Sequence, residues 1–589
     1  MSCLFVASVR DMFLREVKRQ NKDGTRVSYL QLVHNEWDAA AATTRTKILH
    51  SFGRTDRLDV AAIERLVASL CRLLDPATAL RATSGGEVTF GESRPLGGTD
   101  VLDGLWRRLG IEAAMRRRLK GRRITSPFER IVFGLVANRA LAPSSKLAAA
   151  EWICGDVHIT GLPATDDDAC YRAMDWLFSI RAELEQEIYH QVADLLNLQV
   201  DLLFFDTTST YFEVEEADMA AARDWRGEPT ETSTSTSTDG DGDGDGDGEQ
   251  KMAGFRTWGK SKDSRGDLPQ IVIGMAVTRE GIPVRVWCWP GNTSDSALIR
   301  QVKDEMRDWS LGRVVWVADR GFSSAENRRY LQRGAGHYII GEKLRSDSPE
   351  VKTALSRQGR YQSVAEGLQV KEVRIDDADR FVICFNPEAA HRDAAVRERL
   401  VAKLSELIEG SDKLAPLKRA ELRGKISTMP GLNRFLRLTP GGLLRVDKAK
   451  IKAEVNFDGK YLLRSSDPKM TAEDIAVGYK QLLEVERGWR DMKSVLDLRP
   501  VYHRLEERIR AHVILCWLAL LLIRVAETTT GATWQNMRRE LQRLHAVTFT
   551  APDGTFRQTT QPTKPQINIY AQLDLPLPNK IIEITPAGR

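Results

Sequence analysis

The sequence predicts an α/β fold built on a buried sheet, and three observations carry that expectation. Two apolar runs, Val200-Asp-Leu-Leu-Phe-Phe-Asp206 and Arg313-Val-Val-Trp-Val-Ala-Asp319, have the length and composition of buried strands, and each closes on an aspartate. Around them, strand and helix signals follow in the order three strands, helix, strand, helix, strand. Further along, Tyr479, Glu486 and Lys493 recur every seventh residue. Seven steps fall only about 20° short of two helical turns, so the three side chains are expected on one face of a helix. Arg490, four residues after Glu486, points the same way.

Composition frames these signals. A chain of 589 residues is too long for one core and suggests three or four domains, and 42% hydrophobic residues supply the packing. Net charge is only +5, so affinity for a polyanion must come from local clustering. The seven cysteines form no CxxC pair, which argues against a disulfide framework or structural zinc and fits a reducing cytoplasm. Charges from Arg10 onward leave no signal-peptide apolar region. The longest apolar run, Val513 to Ile523, covers about half a bilayer and reads as a buried core helix.

In chain order, residues 1–55 read as a small β-rich module carrying Lys18, Arg19, Lys22, Arg26, Arg45 and Lys47, with a turn at Asp23-Gly24. Residues 56–195 are helical by period and contain the dense basic run Arg116, Arg117, Arg118, Lys120, Arg122 and Arg123. Residues 196–344 form the first part of a core: strands ending at Asp206, beginning near Ile271 and near Pro283, a helix capped by Thr293, Ser294 or Asp295, the strand ending at Asp319, a helix from about Ser323 to Gly334, and a strand at His337–Gly341. Thr207 and Thr208 are expected to turn the chain after Asp206, and Gly321 to relieve the turn after Asp319. Within this part, residues 228–250 include Ser-Thr and Asp-Gly repeats that bury no apolar surface, a predicted disordered loop without the apolar anchors of a calcium repeat. Residues 345–470 mix strand-like pieces with a charged helix around 394–409 and read as a β-rich insertion domain. Residues 471–530 return to the core with the Glu486 helix, and 531–589 form a C-terminal region.

Two strand-end aspartates joined by a glutamate from a packed helix are hard-oxygen ligands able to chelate two Mg²⁺ ions about 3.5–4 Å apart. A lone strand-end aspartate is more often a turn former, and a lone charged stripe a solvated face. The three together point to metal-assisted phosphoryl chemistry.

The same residues carry a family resemblance. Tyr479, Glu486 and Lys493 match the pattern Tyr-x2-Arg-x3-Glu-x6-Lys, with Leu482 at the Arg position. Further matching stretches are Ser261-Lys-Asp-Ser-Arg-Gly-Asp-Leu-Pro-Gln270, Pro290-Gly-Asn-Thr-Ser-Asp295, Arg499-Pro-Val-Tyr-His503, Arg508-Ile-Arg-Ala-His512 and Ala142-Pro-Ser-Ser-Lys146. The chain resembles the DDE transposases of bacterial insertion sequences. The resemblance implies an RNase H-like catalytic core interrupted by a β-rich insertion domain and preceded by a mixed, largely helical DNA-binding region. It implies Asp206, Asp319 and Glu486 as catalytic metal ligands for two Mg²⁺, with Mn²⁺ an accepted substitute. Tyr479 and Lys493 would hold the terminal phosphate, with Arg490 replacing the arginine missing at Leu482. In that setting Arg116, Arg117 and Arg118 are expected to contact DNA phosphates.

The implied partners are double-stranded DNA at the element ends and at the target, and a second copy in a paired-end homodimer, with a nucleoid-associated cytoplasmic location. No tryptophan lies between Trp316 and Trp489 to stack a flipped base, and the sequence selects neither Phe457 nor Tyr461 for that task, so a DNA hairpin step is left open. Two other classes stay open on the residues alone. One is a Mg-dependent nuclease on the same fold, against which the basic N-terminal module speaks. The other is an inactive DNA-binding remnant, against which the three intact carboxylates speak. A paired-carboxylate glycosidase explains neither Lys493 nor the basic clusters.

Overall fold

The computed structural model describes residues 12–20, 26–38, 43–59, 88–120, 127–196, 201–230, 252–307, 309, 314–375, 380–499, 501–551 and 554–586, with single positions between 62 and 69. Lys22, the Asp23-Gly24 turn, Arg122, Arg123 and the repeat tract from 231 to 251 lie outside these residues. The chain divides into two compact units. One comprises Met1–Arg94, His545–Gln561 and Pro578–Arg589, the other Pro95–Leu544 and Pro562–Leu577.

In the first unit, Met12–Gln20, Arg26–Asp38 and Thr43–Arg54 pair antiparallel in sequence order. A second sheet corrects one expectation. Thr89–Pro95 was expected within a helical region, yet it is a strand beside His545–Ala551, followed across the sheet by Gly554–Thr559 and Ile581–Pro586. Its hydrogen-bonding partner lies some 450 residues away in sequence, so no local pattern announces it.

The second unit is organised on one mixed sheet of nine strands. Their order is Gln362–Ala365, Leu368–Arg374, Arg380–Phe385, Lys460–Ser465, His337–Glu342, Val315–Ala318, Leu202–Tyr211, Gln270–Val277 and Pro283–Pro290. Val315–Ala318 runs parallel to both its neighbours; every other ladder is antiparallel. Alternation divides the side chains between two faces. Leu202, Phe204, Val315 and Val317 join the larger core, whereas Leu203, Phe205, Trp316 and Ala318 join a core with Trp287, Trp289 and Phe322.

The expected insertion domain is also corrected. Its longer strand pieces do not form a separate β layer. Lys460–Ser465 pairs with His337–Glu342 and with Arg380–Phe385, so the insertion prolongs the central sheet and covers an edge that would otherwise stand unpaired. The rest of the insertion is mainly helical, with one small antiparallel pair of its own, Leu436–Leu438 with Leu444–Val446: Pro387–Ile408, Pro416–Ser427 and Lys448–Val455 surround a small core of Leu404, Ile426, Leu432, Phe435 and Leu444.

Helix Glu506–Thr530 runs through the larger core and is buried without interruption from Ile509 to Ala526. It is long and apolar enough to cross a membrane, but its apolar stretch is wholly enclosed by protein, as a core helix would be. Two matched motifs meet on it. Lys146 Nζ lies 3.3 Å from His512 Nδ1, and the His503 ring lies 5.6 Å from that of His512. Loss of hydration, helped by the Arg139 charge, pushes the Lys146 amine down to about 7, and burial, only partly opposed by Asp175, pushes His503 down to about 3. Between about 7 and 10.5 the unfolded chain therefore holds a proton at Lys146 that the folded chain does not, and stability rises with pH across that window. Lys146→Met is expected to remove one proton from this slope and to raise stability near pH 8 by roughly 1–3 kcal/mol, as read by denaturant unfolding over a pH series.

Candidate active site

The central strand sets the geometry. Its parallel ladder with Val315–Ala318 ends at the pair Phe205–Ala318, so Asp206 and Asp319 follow side by side on neighbouring strands. By alternation both carboxylates share the face of Phe204 and Val317. Ile475, Ala476, Leu482, Val485 and Trp489 cover that same face. Asp206 is not at a strand end. Thr207 and Thr208 do not turn the chain but continue the strand to Tyr211, opposite Gly274 and Ile273. β-Branched threonines suit a strand, and what stops after Asp206 is only the parallel pairing. Asp319, by contrast, ends its strand and leads into the single 3-10 turn Arg320–Phe322.

Tyr479, Glu486 and Lys493 do not lie on one continuous helix. Ala472–Lys480 and Leu483–Ser494 are separate helices. At the junction the backbone N–H groups of Gln481, Leu482, Glu484 and Val485 reach back three residues, which tightens the turn. Leu482, at the arginine position of the motif, is buried in the larger core, where an arginine head would be cut off from water. Two glycines set how closely these helices approach the sheet. A Cβ on Gly488 would lie 2.6 Å from Met275 Cε, and one on Gly341 would lie 2.4 Å from Tyr479 Oη. The space left at Gly341 admits the Tyr479 hydroxyl, which donates to Asp319 Oδ1 at 3.2 Å. Burial and the Asp319 charge push the phenol far above its ordinary range, so it remains a donor. Gly341 was missed in the sequence, where nothing marks it as facing Tyr479.

Asp319, Tyr479 and Glu486 line one cavity of about 640 Å³ together with Phe457, Tyr461 and residues of the insertion helices. Both aromatics considered for base stacking are therefore at this cavity, and Tyr461 is stacked on Tyr479 with ring centres 6.0 Å apart. Three of the cavity's four arginines are paired: Arg345 bonds Glu454 at 2.7 and 2.6 Å, Arg434 bonds Glu454 at 3.3 Å, and Arg397 bonds Asp458.

Asp206 is half-buried, and loss of hydration pushes its carboxyl up to about 6; Lys262 opposes the shift and Asp319 adds to it. A carboxyl starved of water beside a second carboxyl is a setting that a hard cation relieves, so the donor chemistry fits a divalent metal. The side chains are nevertheless not drawn together: among the described residues, no group of three His, Cys, Asp or Glu is close enough to hold an ion.

Lys493 is held by Thr208 Oγ1 at 2.8 Å and Asp263 Oδ1 at 2.9 Å, and burial lowers its amine. Lys262 Nζ reaches the Thr207 carbonyl and hydroxyl, both at 2.6 Å, and Asp295 at 3.1 Å. Arg490 is exposed and is not brought to Glu486, the cavity or the aspartates by any contact. The basic run lies apart, with its charges answered by neighbours: Arg116 by Glu112 at 2.5 Å and Glu129 at 3.4 Å, Arg117 by Glu187, and Arg118 by Glu187 at 2.6 Å.

A mixed sheet thus sets two aspartates on adjacent strands beneath a glutamate-bearing helix. The family description "Transposase DDE domain" matches residues 223–522, just over half of the chain, and the chain belongs to this family. The N-terminal domain of IS1634 family transposases matches residues 14–79, which include the three-stranded sheet. Asp319, Tyr479, Glu486 and Lys493 fall inside the larger match; Asp206 precedes it. The chain is also similar to a chain in the cryo-EM structure of the piggyBac transposase synaptic complex with hairpin DNA, at 11% identity over 80% of each chain with a TM-score of 0.33. No curated protein matches it.

Proposed function

We propose that this insertion-sequence transposase cleaves DNA at its element's terminal inverted repeats and joins the freed 3′-OH ends to target DNA, with Asp206, Asp319 and Glu486 as the catalytic carboxylates. The observation that carries the reading is the placement of Asp206 and Asp319 on adjacent parallel strands, facing the helix that bears Glu486. The strand order Pro283–Pro290, Gln270–Val277, Leu202–Tyr211, Val315–Ala318, His337–Glu342 supports an RNase H-like core. Divalent metal dependence belongs to the family; the three hard-oxygen donors favour Mg²⁺, in a pair, with Mn²⁺ substituting. Held by Asp206, Asp319 and Glu486, such a metal would supply activation of the attacking oxygen and charge stabilisation at the leaving 3′-oxygen.

The chain's own groups do the rest. Tyr479 orients the Asp319 carboxylate by donating to Oδ1. Lys493, fixed by Thr208 and Asp263, presents its charge to a phosphate two residues along the strand from Asp206. Arg490, exposed one turn after Glu486, contacts DNA from the helix surface. End recognition resides in residues 1–195, the active form is a homodimer bridging two ends, and the protein works on cytoplasmic, nucleoid DNA.

Incubating the full chain with a duplex carrying the terminal repeat and Mg²⁺ should give a cut at the repeat boundary with a 3′-OH, and strand transfer when target DNA is added. A protein that binds the duplex yet never cuts it under any divalent metal would overturn the assignment.

Within the basic run, Arg116 and Arg117, each more than half exposed, are proposed as secondary phosphate contacts. Arg118 is taken up by Glu187 and the Ala114 carbonyl. Changing Arg116 and Arg117 together to alanine is expected to lower the slope of log affinity against log salt by about one to two. An unchanged slope would leave both as partners of their glutamates and nothing more.

A further inference from the structure

We propose that Arg499 is a second phosphate-contact residue beside Lys493, and that Asp263 is the positioning residue that holds the two cations side by side. The inference rests on the reading of Lys493 as a phosphate contact and extends it to two residues from the matched motifs that have so far carried no role.

The segment beginning at Ser261 is built as a bracket against the central strand. Ser261 Oγ accepts from the backbone N–H groups of Asp263 at 3.2 Å and Arg265 at 3.0 Å, folding the segment into a turn. The Lys262 N–H donates to Ser209 Oγ at 2.9 Å, which ties the turn to the strand of Asp206. The Asp263 carboxylate is thereby placed between two cations: Oδ1 is 2.9 Å from Lys493 Nζ and Oδ2 is 3.0 Å from Arg499 Nη1. Like charges do not settle next to each other without such an intermediary.

Arg499 is fixed a second time, because its guanidinium lies 4.9 Å from the centre of the Tyr211 ring. Arg265, itself paired with Asp267 at 2.8 Å, lies 5.0 Å from the same ring. Two cations around one carboxylate leave a surplus positive charge, and Arg499 is a quarter exposed with only Asp263 as an ionic partner. Its remaining N–H donors have no protein acceptor among the described residues, and an oriented guanidinium fork suits the paired oxygens of a phosphate. Lys493 alone would supply a point charge; Arg499 adds direction.

Affinity for a duplex carrying the terminal repeat, measured with the full chain in metal-free buffer over a salt series, tests this without relying on cleavage. Arg499→Gln is expected to weaken binding roughly tenfold and to lower the salt slope by about one, with the thermal midpoint unchanged. Asp263→Asn should weaken binding as well, Asp263→Glu should restore it, and Asp263→Asn combined with Arg499→Gln should lose less than the sum of the two single losses, because the Arg499 share of the Asp263 effect is already gone. A normal slope in folded Arg499→Gln sinks the contact. Tighter binding by Asp263→Asn sinks the positioning role, since the carboxylate would then be competing with phosphate. If Lys493→Gln keeps a normal slope while Arg499→Gln lowers it, the reading of Lys493 fails and that of Arg499 stands.

Discussion

Alanine at Asp206, Asp319 or Glu486 is expected to reduce metal-dependent end cleavage on the order of 10³-fold or more, while affinity for end DNA stays within about threefold of the parent. Each carboxylate is one of three hard donors, and none belongs to a basic cluster. A 10³-fold loss corresponds to about 4 kcal/mol of transition-state stabilisation. A binding-only measurement distinguishes this from misfolding, and a melting series adds a second check. Divalent metal should raise the thermal midpoint of the parent protein and not that of Asp206→Asn, because ligand binding stabilises only a state that holds the ligand. Near-parental cleavage by any one of the three variants would remove that residue from the site.

The second large effect is expected at Arg524, far from any substrate. Its side chain is 2% exposed and joins the core helix to the Glu486 helix: Nη2 bonds Asp491 Oδ2 at 2.5 Å and Nη1 bonds Glu527 Oε2 at 2.6 Å. Arg487, next to Glu486, shares Glu527 at 3.1 Å. Arg524→Ala leaves the partly buried Asp491 without its cation and Glu527 with Arg487 alone, a loss of about 3 kcal/mol or more. Because the released helix is the one that carries Glu486, cleavage should fall further than stability alone predicts. Arg524→Lys, which keeps the charge but reaches one carboxylate at a time, should fall between. Denaturant midpoints and cleavage rates for the pair would check both statements; wild-type values in Arg524→Ala would refute them.

What was legible in the sequence was what local pattern dictates. Apolar runs gave the strands of Asp206 and Asp319, and the burial of Val513–Ile523 followed from its length and composition. What was illegible depends on partners distant in the chain. Nothing near Thr207 says that Gln270–Val277 will pair with it and carry the strand on to Tyr211. Nothing near Lys460 says that it will join the sheet of Asp319 rather than a sheet of its own. The seven-residue period of Tyr479, Glu486 and Lys493 is real, but period alone does not register the tightened turn at Leu482, whose burial bends the path. The carboxylates at issue were visible as residues; Asp263 and Arg499 were visible only as letters in a motif, and Gly341 only as the end of a strand, until the fold placed them.

The strand Lys460–Ser465 has a consequence for synthesis. On the ribosome, His337–Glu342 emerges with one edge bare and waits for a partner more than a hundred residues downstream. At about 5–20 residues per second, that wait lasts several seconds. During it the nascent chain holds both aspartates, lacks the Glu486 helix, and offers an open edge to any passing strand. Truncation in the insertion ahead of Lys460 makes the wait permanent. Such fragments are expected to be cleared or to aggregate rather than persist as soluble competitors for DNA ends, so damage to the gene in this stretch silences the element without leaving a repressor behind.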